Sequence, residues 1–175
     1  MKVLCYVGLF VFLLLGDYFS KAYVQDHLPL IQYASSEYPY GGIPVFKGIL
    51  GIDFSINYAT NKGAAWGLFA SFQSYLLYFR LALIGALLTF LLFFNKEKKH
   101  LLAFTLILSG AIGNVIDTFA YSYVIDMFYF KFGSYSYPIF NVADACIFCG
   151  TLLLFLTRKK KELPKHERRH EISKN

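Results

Sequence analysis

Long apolar runs dominate the hydropathy pattern of the chain. Four of them approach the roughly 20 helical residues needed to cross a hydrocarbon core about 30 Å thick. They cover residues 2–19, 75–94, 101–120 and 139–157. This pattern predicts a membrane protein that is mainly α-helical, with four transmembrane helices.

Composition also indicates a membrane protein, and the distribution of charge predicts its orientation in the membrane. Of its 175 residues, 57% are apolar and 16% are charged, with a formal net charge of +6. The cations concentrate in residues 95–100 and in the basic tail, residues 158–175. Because positively charged flanks tend to stay in the cytoplasm, we expect both segments and both termini to be cytoplasmic. The tail is expected to contact anionic membrane lipids, and no nucleic-acid motif accompanies it.

The first run is also compatible with a secretory signal, because Ser20-Lys21-Ala22 imitates a small-x-small cleavage site. Asp17 stands against this reading, since a signal would still be apolar at that position. We therefore expect residues 1–157 to form one four-helix membrane unit.

The segment between the first two runs, about residues 22–74, predicts a cap outside the bilayer. Glycines and prolines punctuate its first half. In its second half, Ile52, Phe54, Ile56 and Tyr58 alternate with more polar residues, the period of a half-buried strand. The fold prediction thus includes a small extracytoplasmic β-sheet cap.

Polar residues within and between the runs gather at one bilayer face under this topology. They lie at the end of the first and third runs, at the start of the fourth, and in the link before it: Asp17, Lys21, Asn114, Asp117, Asp126, Asn141 and Asp144. Two Asn-x-x-Asp spacings put an amide and a carboxylate about one helical turn apart, where the amides can hold the carboxylates.

Any one of these residues, taken alone, is explained if its side chain hydrogen-bonds to a neighbouring helix. Asp17 can also pair with Lys21 at i, i+4. The whole set exceeds what packing requires and indicates a shared polar site. Two close carboxylates, one protonated and one ionised, can activate water for peptide hydrolysis. The residue pattern alone leaves Asp17, Asp117, Asp126 and Asp144 all open as members of that pair.

Other chemistries find less support. His27 is the only histidine expected on the outer side, and no His-Glu-x-x-His zinc motif is present. The three cysteines fall within predicted helices, so we expect neutral thiols rather than a metal or redox site. We expect no cofactor and no metal. A transporter or proton relay, and a structural scaffold, remain as alternatives from other classes.

The sequence resembles the lipoprotein signal peptidases, also called signal peptidase II, from the first run to the fourth. Five motifs carry the resemblance in order: Asp17-Tyr-Phe-Ser-Lys21, Asn61-Lys-Gly-Ala-Ala-Trp-Gly67, Gly110-Ala-Ile-Gly-Asn-Val-Ile-Asp117, Val124-Ile-Asp126 and Pro138-Ile-Phe-Asn-Val-Ala-Asp-Ala145. The resemblance implies an intramembrane aspartyl endopeptidase of the bacterial inner membrane. Its substrates would be prolipoproteins, cut before a diacylglyceryl-modified cysteine at the extracytoplasmic face.

The resemblance also assigns roles. It implies that Asp126 and Asp144 form the catalytic dyad. The residues it implies as substrate-binding or supporting are Asp17, Lys21, Asn61, Gly63, Asn114, Asp117 and Asn141. The chain departs from the family pattern at Thr118, where Arg is usual, and at Ser122, where Gly is usual. Arg80, near the outer end of the second run, is expected to extend toward lipid headgroups, with a substrate role second to that.

Overall fold

The computed structural model describes residues 2–31, 42–64, 67–95 and 100–157. Within them, one helix, two strands, two helices, two strands and a final helix follow one another along the chain, and the four strands form one sheet. The helices are α1 (Lys2–His27), α2 (Gln73–Thr89), α3 (Leu101–Tyr121) and α4 (Val142–Thr157), and a π-helical turn, Phe90–Phe94, extends α2. The strands are β1 (Gly42–Ile49), β2 (Ile52–Asn61), β3 (Val124–Phe132) and β4 (Tyr135–Ser136).

Helix lengths bear out a multi-pass membrane protein. Val3–His27, Ala70–Phe94 and Leu101–Tyr121 are each long and apolar enough to cross a bilayer. The fourth helix has 16 described residues, which is about 24 Å at 1.5 Å per residue and shorter than the hydrocarbon core. The four predicted apolar helices are therefore present, with three of full spanning length in the described part of the chain.

Helix α3 lies at the centre and packs against α1, α2 and α4. Small residues let its backbone approach α4 closely. A Cβ at Gly110 would overlap the carbonyl oxygen of Ala143, and one at Gly150 would lie 2.6 Å from the carbonyl oxygen of Ala103. Lipid tails give helices no hydrophobic reason to associate, so such close backbone packing is a main source of cohesion.

The sheet is antiparallel in the order β1-β2-β3-β4. Half of it comes from residues 121–138, where the sequence had predicted a loop, and that prediction was wrong. Residues 124–132 pair with β2 along almost their whole length, with a bulge between Ile56 and Ala59. The pairing sets Ala59 opposite Asp126, so this acidic residue lies on a strand rather than in a loop.

The alternation in β2 did predict a strand, but its polar side chains are the most buried. Ser55 and Asn57 are fully buried, and the Asn57 amide donates to the Ser55 hydroxyl at 2.9 Å. Ile56 and Tyr58, on the other side, pack against a small apolar core. That core joins the end of α1 to β3 and consists of Val24, Leu28, Ile125 and Met127. Helix α1 thus continues past the predicted span to support the sheet.

Replacing Gly110 with Ala tests the close approach of α3 and α4. We expect Gly110→Ala to destabilise the protein by about 1–3 kcal/mol, because its methyl group meets backbone that must shift. Gly85→Ala in α2 is the matched control, since a Cβ there meets nothing within 4 Å. Thermal unfolding of the purified protein in detergent measures both, and equal unfolding temperatures would contradict the packing described.

Candidate active site

A buried ammonium group forms the base of the site. Lys21 is 2% exposed, and its Nζ lies 2.6 Å from Asp17 Oδ2, 2.8 Å from Asp117 Oδ2 and 3.1 Å from Asn114 Oδ1. An ammonium has three N–H donors, so three acceptors satisfy it. The i, i+4 pair predicted from the sequence is present, but α3 supplies the second carboxylate and the amide.

The two carboxylates of this group also bind backbone. Asp17 Oδ1 accepts a hydrogen bond of 2.8 Å from the N–H of Ala143, in the first turn of α4. Asp117 Oδ2 accepts one of 3.1 Å from the N–H of Ile125 in β3. Lys21, Asp17 and Asp117 together form the lysine hub, which ties α1 to α3, α4 and β3. Each carboxylate of the hub therefore binds both the ammonium and a backbone N–H group.

Asn141 begins α4 as its N-cap. Its Oδ1 accepts a hydrogen bond of 2.8 Å from the N–H of Asp144, three residues on. Its Nδ2 donates to Asp126 Oδ1 at 2.8 Å, and to Asn114 Oδ1 and the carbonyl oxygen of Ile125 at 3.1 Å each. One capping residue therefore fixes both the start of α4 and a carboxylate of β3.

Asn114 completes an amide pair with Asn141. Its Nδ2 donates to Asp144 Oδ1 at 2.8 Å, while its Oδ1 accepts from both Asn141 and Lys21. Each amide thus binds a carboxylate from another segment of the chain, not the one within its own Asn-x-x-Asp motif. The motif spacing indicated amide–carboxylate contacts, but only the tertiary structure gives the partners.

Asp126 and Asp144 differ from the acids of the lysine hub. Neutral amides are their side-chain partners, and no Lys or Arg nitrogen of the described residues lies within 4.0 Å of them. Burial, and after it the negative charge of Asp144, raise the pKa of Asp126 to about 7. At neutral pH, Asp126 therefore holds a proton for a substantial part of the time.

The cap loop, residues 61–64, covers the carboxylate of Asp126. Asn61 Nδ2 donates to Asp126 Oδ2 at 3.2 Å and to the carbonyl oxygen of Ala64 at 3.1 Å. Its Oδ1 accepts from the N–H of Gly63 at 2.9 Å. A Cβ at Gly63 would overlap the backbone of Gly67 and Leu68, so only glycine fits there.

Arg80 lies at the site. The sequence analysis expected its side chain to contact lipid headgroups and ranked a substrate role second. Its Nη2 donates to the carbonyl oxygen of Gly63 at 2.9 Å, and its Nη1 donates to Thr118 Oγ1 at 3.3 Å. A cation within an apolar helix was the available signal. The direction of its side chain depends on tertiary packing and was not predictable.

The cavity beside these groups has a volume of about 710 Å³ and contains Asp126, Asp144 and Arg80 in its lining. Much of the remaining lining is apolar and includes aromatic side chains of β3 and α4. Cys149 lines it as a free thiol, while Cys146, one turn earlier, is buried. Among the described residues, no group of three His, Cys, Asp or Glu side chains is arranged to hold a metal ion.

All nine residues that the sequence analysis assigned to the site are joined by hydrogen bonds and ion pairs. The path runs from Asp17 and Asp117 through Lys21 to Asn114, then through Asn141 to Asp126, Asn61 and Gly63, with Asp144 held by Asn114 and Asn141. Three helices, one strand and the cap loop contribute. The arrangement brings two carboxylates without a bound cation to the wall of a largely apolar cavity.

Comparison with known proteins identifies relatives over most of the chain. A family model described as signal peptidase (SPase) II matches residues 9–158. A lipoprotein signal peptidase of Clostridium acetobutylicum is 32% identical over 143 residues, which cover 81% of this chain and 84% of that protein. One from Latilactobacillus sakei is 32% identical over 168 residues, covering 94% of this chain and all of that protein.

Solved structures agree at the level of the fold. A bacterial membrane enzyme determined by the in meso method at 2.3 Å resolution superposes with a TM-score of 0.71. It is 23% identical in sequence, and the match covers 91% of this chain and 94% of the other.

Lys21→Met tests the lysine hub. Removing the ammonium leaves two buried carboxylates without a cation, so we expect a loss of about 3 kcal/mol or more in the free energy of unfolding. Lys62→Met is the control, because Lys62 is exposed, and it should change stability by less than about 0.5 kcal/mol. Unfolding in detergent, followed by circular dichroism, measures both variants. If Lys21→Met were as stable as Lys62→Met, the hub would not hold the helices together.

Proposed function

The chain belongs to the signal peptidase II family, and we propose that it is an intramembrane aspartyl endopeptidase that removes signal peptides from prolipoproteins. The observation that carries the catalytic type is the pair Asp126 and Asp144, which line one cavity and have neutral amides as side-chain partners. Asp17 and Asp117 are weaker candidates, because Lys21 forms an ion pair with each of them and neither lines the cavity.

In the proposed mechanism, one carboxylate of the dyad is ionised and the other is protonated. The ionised group takes a proton from water as the water oxygen attacks the scissile carbonyl carbon. The resulting tetrahedral species then loses its C–N bond, and the protonated partner supplies a proton to the leaving nitrogen. One water is consumed, and no covalent enzyme intermediate forms.

The surrounding amides prepare this step by fixing carboxylate oxygens. Asn141 and Asn61 each hold one oxygen of Asp126, and Asn114 holds Oδ1 of Asp144. Fixed neutral donors stabilise an ionised carboxylate less than a bound cation does, so one proton can stay on the pair at neutral pH. The raised pKa of Asp126 supports this distribution.

The substrate assignment rests on the relatives and on the cavity. The relatives are called lipoprotein signal peptidases. A largely apolar cavity suits the diacylglyceryl chains and the signal helix of such a substrate, with the scissile bond before the modified cysteine beside the dyad. We further propose an inner-membrane location with both termini cytoplasmic and the active site at the extracytoplasmic face. The peptidase domain would span residues 1–157, followed by the basic cytoplasmic tail.

Amide substitution of either dyad residue tests the catalytic type. We expect Asp126→Asn and Asp144→Asn each to lower cleavage of a diacylglyceryl-modified prolipoprotein at least about 1,000-fold, because acid–base exchange with water is lost. Asp53→Asn is the matched control, since Asp53 lies on β2 away from the cavity and accepts from the N–H of Gly48. Cleavage would be followed by gel shift with purified full chain and a chelator present. Full activity in either dyad variant would refute the assignment.

The pH dependence of cleavage tests the shared proton. The pKa of Asp126 is raised to about 7, so the pair loses its proton as pH increases through that value. We therefore expect activity to decrease on the alkaline side, with a midpoint near pH 7. Asn61→Ala removes a donor to the ionised form of Asp126, so this limb should shift to higher pH. A limb that shifts to lower pH, or stays in place, would contradict the role given to Asn61.

A further inference from the structure

Within the described part of the chain, Arg80 is a cation without an ion pair. Its guanidinium donates to two neutral oxygens, the carbonyl of Gly63 and the hydroxyl of Thr118. Among the described residues, no carboxylate lies within 4.0 Å of it. Placing a charge in an apolar helix is costly, and extension into the headgroup region would have been the inexpensive solution. The side chain instead turns toward the protein.

The guanidinium retains unused donors at the cavity wall. Arginine has five N–H groups, and hydrogen bonds to described residues occupy two of them. Arg80 lines the same cavity as Asp126 and Asp144. A peptide that enters an apolar cavity brings main-chain carbonyl oxygens that need donors, and a fixed cationic donor beside the dyad meets that need.

Arg80 also determines where the cap loop lies. It holds the carbonyl oxygen of Gly63, whose N–H binds Asn61, and Asn61 in turn holds Asp126. Contacts therefore run from α2 to the dyad through the loop. A substrate carbonyl bound by the same guanidinium would be positioned relative to the carboxylate that reacts with the neighbouring bond.

We propose that Arg80 is a substrate-binding residue whose guanidinium holds the cap loop against α3 and donates to a main-chain carbonyl oxygen of the substrate beside the scissile bond. This inference rests on the proposed peptidase function. It assigns the specificity of the site for an extended peptide partly to α2, a helix that contributes none of the nine residues assigned from the sequence.

A substitution at position 118 can supply the guanidinium from α3 instead of α2. Thr118 Oγ1 is 3.3 Å from Nη1 of Arg80, so an arginine at position 118 can bring its own guanidinium into the same region once Arg80 is shortened. The variants are Arg80→Gln, Arg80→Lys, and the double variant Arg80→Gln with Thr118→Arg. Lys47→Gln is the matched control, because it removes an exposed cation from β1, which contributes no residue to the cavity lining.

The experiment is steady-state cleavage of a synthetic diacylglyceryl-modified prolipoprotein peptide by purified full-chain variants in a phosphate-free detergent. We expect Arg80→Gln to raise KM about tenfold or more, because a charge-assisted hydrogen bond is lost. The alkaline limb of the pH–activity profile of this variant should also shift to higher pH, because a positive charge near the dyad has been removed. Arg80→Lys should leave the alkaline limb of the pH–activity profile in place, because lysine retains the positive charge. Its KM should increase, because lysine lacks the planar guanidinium.

The double variant should recover most of the KM of the wild type, and Lys47→Gln should match the wild type throughout. An unchanged KM in a folded Arg80→Gln variant would overturn the proposal. An increase in KM that appears only in phospholipid vesicles, and not in phosphate-free detergent, would also overturn it. That result would show that Arg80 binds a headgroup phosphate. These failures are distinct from failure of the peptidase assignment, which would be seen as activity retained by Asp126→Asn or Asp144→Asn.

Discussion

The buried ammonium of Lys21 is the interaction on which the rest of the structure depends. Helices in a bilayer gain little from apolar contact with one another, and an unpaired charge between them is costly. Lys21 is satisfied only when Asp17, Asp117 and Asn114 converge on it. The remaining oxygen of Asp17 then binds the start of α4. Formation of the hub therefore requires α1, α3 and α4 to be in register.

The hub also separates two kinds of acid that the residue pattern alone could not distinguish. The carboxylates of Asp17 and Asp117 are each bound by the Lys21 ammonium and by a backbone N–H group, and neither lines the cavity. Asp126 and Asp144 lie one step further along the network, beyond the neutral amides of Asn114 and Asn141. Their carboxylates line the cavity and can exchange protons with water. Structural support and the proposed chemistry are thus assigned to different carboxylates.

The sequence predicted the helices and the strand at β2, because apolar runs and period-two alternation are local signals. The nine candidate site residues were chosen from motif order, and the structure joins them in one network of hydrogen bonds and ion pairs. The sequence analysis missed β3, since the aromatic run at residues 127–132 has no clear alternation and becomes a strand by pairing with β2. It did not show that Ser55 and Asn57 would be buried, because the hydrogen bonds that the Asn57 amide nitrogen donates to Ser55 form only in the folded strand. The inward direction of Arg80 and the crossed amide contacts likewise arise from tertiary packing.

The central claim is that Asp126 shares a proton with Asp144 at neutral pH. Infrared titration of the carboxyl C=O stretch in the purified full chain tests it most directly. We expect a protonated carboxyl band that disappears with a midpoint near pH 7 and is missing from the Asp126→Asn variant. If no protonated carboxyl were present near neutral pH, or if the band persisted in Asp126→Asn but vanished in Asp17→Asn or Asp117→Asn, the account of the dyad would be wrong.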